Sequence, residues 1–213
     1  MRGRQICFRL AVACVVTLLA LSGCESFFTS NAFGGLQRSP ADMDAAELEV
    51  FAADALASGD TETIKSTFEA LKTAAGSNPT ASQTSTLVEL GVAATGIPEL
   101  VTSVATSGGE LESIEDVETL LEGFDSDTAE ATAAIALEAD PGTLTGQQYA
   151  YAALGLVGAI AAEEDSFENI ETADGIDDAQ TLLDLSIAAY EADGEEESET
   201  YQLLLELQAQ IEP

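Results

Sequence analysis

Apolar residues return every three or four positions along most of this chain. Ile64, Phe68, Leu71 and Ala75 form one stripe; Leu111, Ile114, Val117, Leu121 and Phe124 form a second; Leu204, Leu207 and Ile211 form a third. That spacing places side chains on one face of an α-helix, and the dominance of Ala, Leu and Glu favours the same conformation. Strand-like alternation is hard to find. Structure-breaking pairs punctuate the pattern at Ser39-Pro40, Ser58-Gly59-Asp60, Asn78-Pro79, Gly96-Ile97-Pro98, Gly108-Gly109, Asp125-Ser126-Asp127, Asp140-Pro141-Gly142, Asp174-Gly175 and Asp193-Gly194. The chain therefore reads as all-α, with about nine helices over 41–57, 61–75, 80–94, 97–106, 111–123, 127–139, 145–164, 176–192 and 197–211. Helices of this length joined by short turns predict stacked antiparallel pairs.

One tract breaks the amphipathic rhythm. Residues 141–162 carry no charge, and the stretch from Tyr149 to Ala162 is almost wholly apolar. It is short for a membrane span, which needs roughly 20 apolar residues, so it predicts a central helix buried on most sides. Thr145 and Gln148 have the spacing of a capping box at its start. Gly155 and Gly158 would let a neighbouring helix approach closely. Tyr149, Tyr151, Gln147 and Gln148 are candidates to line a ligand groove, with simple core packing as the competing reading of the tyrosines.

The amino end follows another logic. Arg2, Arg4 and Arg9 precede an apolar run from Leu10 to Leu21 broken only by Thr17, and no acid occurs before Glu25. A positively charged start and a short apolar run are the parts of a secretory signal. The junction Leu21-Ser22-Gly23-Cys24 resembles the lipobox of bacterial lipoproteins. The resemblance implies that 1–23 is a signal peptide, that Cys24 becomes the lipidated first residue, and that acyl chains such as palmitate fasten the chain to a membrane. Several chains together give stable anchoring, each buried methylene adding about 0.8 kcal/mol. Cys7 and Cys14 would leave with the signal, so Cys24 would stand alone and no disulfide could form. Residues 24–40 read as the lipidated cysteine and its tether, and 41–213 as a single acidic helical domain, large enough to hold itself together by burial.

Within that domain the stretch "ADALASGDTETIKSTFEAL" resembles the tetratricopeptide repeat: small residues on a first helix, a glycine turn, then a second helix with an apolar stripe. Gly59 and Phe68 have the family's spacing from turn glycine to second-helix aromatic, Asn78-Pro79 lies near the terminal proline position, and Leu154-Gly155 and Leu90-Gly91 echo further units. The resemblance implies that Phe68, Leu71, Leu154 and Gly155 hold the repeat packing, and that stacked pairs present a concave groove to a partner. The family's first-helix tryptophan is missing and the units are unevenly spaced. A tetratricopeptide-like solenoid and a non-repetitive helical bundle both remain open at this point.

Charge narrows the function. The chain has 39 acids, six bases and no histidine, for a formal net charge of −33. Only Arg38, Lys65 and Lys72 are basic beyond the amino-terminal arginines, while 110–140 holds eleven acids and 163–213 holds seventeen. A field of this sign opposes binding to nucleic acid and to anionic lipid headgroups. It also repels itself, so salt should favour folding. Solvation in a saline medium and a docking surface for a basic partner are both consistent with it. Without histidine, the common zinc sites and Ser-His or Cys-His nucleophiles are excluded. There is no phosphate-binding loop, and neither "EADGEEESE" nor "DSDTAE" satisfies an EF-hand. No catalytic, cofactor or metal residue is assigned, and the chain does not read as an enzyme. The expected function is a lipid-anchored scaffold in the cell envelope, facing the periplasm or exterior, that binds another envelope protein. A small-molecule-binding lipoprotein of a transport system is the alternative.

Overall fold

Capping chemistry divides the chain into its helices. The computed structural model describes residues 39–97, 124–163 and 173–198, and beyond them 200–202, 204, 205 and 208. After a 3₁₀ turn at Pro40–Asp42 come α1 (Ala45–Ser58), α2 (Thr61–Ala75), α3 (Ala81–Thr95), α4 (Ser126–Leu137), α5 (Gly146–Glu163) and α6 (Ile176–Asp193). The described part of 200–208 is helical as well, and no strand occurs among the described residues. The protein is all-α.

Most starts carry a side-chain cap that accepts from an otherwise orphaned N–H of the first turn. Asp44 and Glu47 form a reciprocal capping box before α1, as do Thr80 and Gln83 before α3. Asp60 caps α2 and Asp125 caps α4. Thr145 and Gln148 form the box predicted for α5, with Gln148 Oε1 accepting from the Thr145 N–H at 2.9 Å and the Gln148 N–H donating to Thr145 Oγ1 at 3.2 Å. At α6 the N-cap is Gly175, with no side-chain bond, and Asp177 and Asp178 put negative charge on the positive end of the helix dipole instead. The six helices match the predicted spans closely, except that α1 begins at Ala45 rather than 41, because Asp44 is the cap and Pro40–Asp42 makes a separate turn. The helices expected at 97–106 and 111–123 lie outside the described residues apart from Ile97, as do the expected signal and tether up to residue 38.

Each helix packs on the next: α1 on α2, α2 on α3, α3 on α4, α4 on α5, α5 on α6. The links of two to eight residues after α1, α2 and α4 force those neighbours to run antiparallel. Further contacts join α1 to α3, α3 to α5 and α4 to α6, so α3 meets helices on both sides beyond its immediate neighbours. At the first turn, Gly59 has φ +65°, a left-handed conformation that a Cβ disfavours, and it sends α2 back along α1.

The core is built in two parts that meet at α3. On one side Leu48, Ala52 and Ala55 of α1 and Ile64, Phe68 and Leu71 of α2 pack with Leu87, Leu90 and Ala94. On the other, Val88 and Val92 join Ala133 and Ala136 of α4, most of α5, and Ile176, Ala179, Leu182, Leu183, Ile187 and Tyr190 of α6, with Tyr201 and Leu204 beyond. Ile135 touches both parts. A helix that serves two cores must be apolar on two faces, which is why α3 lacks a clean amphipathic stripe. Phe68, Leu48, Leu71 and Leu90 are fully enclosed; each such side chain contributes about 1.5–3 kcal/mol of burial.

Small residues set the helix separations. Gly91 of α3 lies against Thr132 of α4, so close that a Cβ there would overlap the Thr132 hydroxyl. Thr132 returns its own Oγ1 to the Thr128 carbonyl at 2.7 Å, and so leaves no buried donor unpaired. Gly146 lies against the Tyr190 ring, and its carbonyl accepts from Ser186 Oγ at 2.7 Å, tying the start of α5 to α6. Of the residues the repeat resemblance singled out, Phe68, Leu71 and Gly155 are buried and Leu154 is half-buried. As predicted, α5 is central, with Tyr149, Ala150, Ala152, Ala153, Leu156, Ala159, Ile160 and Ala161 all in the interior.

Candidate functional site

The four residues singled out for a groove sit in the first two turns of α5 but face different ways. Tyr149 is 3 % exposed and belongs to the larger core. Burial raises its phenol pKa, so the hydroxyl stays protonated at neutral pH. Gln148 is almost as enclosed, and its side chain is committed at both ends. The amide oxygen closes the capping box, while Nε2 donates to Ser85 Oγ at 2.9 Å and to Glu89 Oε1 at 3.1 Å, with the Ser85 carbonyl at 3.4 Å. Gln147 is exposed and Tyr151 half-buried. These two share a helical face, and Gln147 Nε2 lies 3.2 Å from the Tyr151 hydroxyl. The structure thus brings Gln147 and Tyr151 together at the surface and turns Gln148 and Tyr149 inward.

Tyr151 also lies near Tyr190 of α6. Burial raises the Tyr190 phenol pKa, and the neighbouring Glu195 and Tyr151 add to the effect. Tyr201 donates to Glu191 Oε1 at 2.9 Å, and this bond, more than burial, raises its pKa too. The Tyr201 phenol thus fastens the segment after α6 to that helix.

The charged groups that sequence reading did not connect are Lys65 and Asp125. They form an ion pair between α2 and the start of α4, sixty residues apart in the chain. Asp125 is also the cap of α4, accepting from the Thr128 N–H at 3.1 Å. Burial alone would raise its pKa, but the bonds from Lys65 and Thr128 outweigh burial and hold the carboxyl below the ordinary aspartate range. The pair raises the Lys65 pKa in turn, chiefly through the Asp125 hydrogen bond. Lys72 lies 5.5 Å from the centre of the Phe68 ring, in cation–π range. Both lysines are therefore on α2, and both are engaged. Nothing in the sequence could have paired Lys65 with one carboxylate among 39, since the choice is made by how α2 and α4 pack.

Elsewhere the surface is acidic. Asp177, Asp178, Asp184 and Glu191 stand exposed along α6, and Glu195, Glu196 and Glu197 follow in the turn beyond it. Among the described residues no group of three or more carboxylates converges to hold a metal ion, and no helix is long and apolar enough to cross a membrane. Cys24 lies outside the described residues. No family model, no curated protein and no solved structure matches the chain.

Proposed function

We propose that this chain is a lipid-anchored cell-envelope scaffold, fastened to a membrane by acyl chains on Cys24 and binding another envelope protein through its helical body. The observation that carries the reading is Leu21-Ser22-Gly23-Cys24 placed directly after a short apolar run with arginines ahead of it. Neighbour-on-neighbour helix packing supports a helical-repeat scaffold in which successive layers offer one continuous face. The tetratricopeptide-like reading of that body rests on the Gly59 turn and the enclosed Phe68. Strong acidity supports a partner that is not a nucleic acid, and it keeps the body away from anionic headgroups while the lipid holds it near them.

The test has two arms. Mass spectrometry of the mature amino terminus should find an acylated Cys24, and Cys24→Ser should leave an unprocessed chain that no longer fractionates as an acylated membrane protein. A Cys24→Ser chain that is processed and membrane-bound like the parent overturns the anchor. Crosslinking in intact envelopes followed by a pull-down should recover a protein partner. Recovery of none, with a small molecule co-purifying instead, would favour the transport-component alternative.

A further inference from the structure

We draw no further inference here: the strongest candidate, the outward face of α1 where Ala46, Val50, Ala53 and Ala57 line up exposed with Glu47 and Asp54 beside them, is a stripe of mostly small residues, and nothing in the structure shows what covers it.

Discussion

Gln148, in the first turn of α5, donates its side-chain amide to Ser85 on α3 at 2.9 Å while its amide oxygen closes the cap of its own helix. One side chain therefore sets both where α5 begins and which part of α3 it lies against. Gln148→Ala should cost about 0.5–2 kcal/mol, since it removes the box partner and the bonds to half-buried Ser85 and exposed Glu89. Gln148→Glu separates the two roles. A glutamate still closes the box, but it meets the Glu89 carboxylate where the amide had donated. Urea denaturation at pH 7 should show Gln148→Glu less stable than the parent, with the gap narrowing as added salt screens the two carboxylates. Equal stability at pH 7 would mean that the α3 contact contributes nothing.

Gly91 and Thr132 fix the spacing of α3 and α4. Alanine is ordinarily the better helix former by about 1 kcal/mol, so an exposed Gly91 would gain from the change. Here Gly91→Ala should instead destabilise by about 1–3 kcal/mol, the usual cost of overpacking. Adding Thr132→Ala removes the hydroxyl that the new methyl overlaps and should recover part of the loss. A double-mutant cycle by thermal melting reads the coupling; strict additivity would show that the two helices adjust without strain.

Asp125 serves as cap and ion-pair partner at once, and the two roles can be measured apart. Asparagine is also a good cap, so Asp125→Asn should lose only the charge, worth at most about 1 kcal/mol for a pair this exposed. Asp125→Ala should lose the cap as well, a further ~0.5–2 kcal/mol. Because the folded carboxyl titrates below its ordinary value, its contribution is complete above about pH 4 and disappears as the pH falls through the lower folded value. The stability difference between parent and Asp125→Asn, followed by urea midpoints from pH 6 to pH 2, should shrink toward zero at the acid end. A difference independent of pH would assign the effect to packing rather than charge.

Self-repulsion predicts a salt response for the whole chain. With 39 acids and six bases, raising sodium chloride from about 0.01 M to about 1 M shortens the screening length from roughly 30 Å to roughly 3 Å. The midpoint of thermal unfolding should rise by at least about 2–4 °C, the shift that 1 kcal/mol produces in a chain of this size. The Lys65–Asp125 attraction weakens under the same conditions, so a net fall in midpoint would mean that specific pairs outweigh the general field.

Legibility in the sequence followed the range of the interaction. Six helices were readable because their signals are local: the apolar repeat on α2, the acid or threonine before a first turn, the glycine after a last one. The Thr145–Gln148 box was visible for the same reason. The burial of α5 could be read from the missing charges of 141–162, since charged side chains are what usually hold a helix face in water. The groove residues fared differently. All four share one short stretch, but helical geometry rotates successive side chains by about 100°, so Gln147 and Gln148 end up facing solvent and α3 respectively.

What this sequence determined by itself is the all-helical class, the approximate positions of the six described helices and the excess of negative charge, each a property of neighbouring residues or of their sum. The tertiary structure alone decided that α3 divides its apolar residues between two cores, that Gly91 admits Thr132, and that Lys65 selects Asp125 from among so many carboxylates. Those outcomes join residues as much as sixty positions apart. They depend on how rigid helices fit against one another once every close-packed face must be filled, and no local pattern encodes that fit.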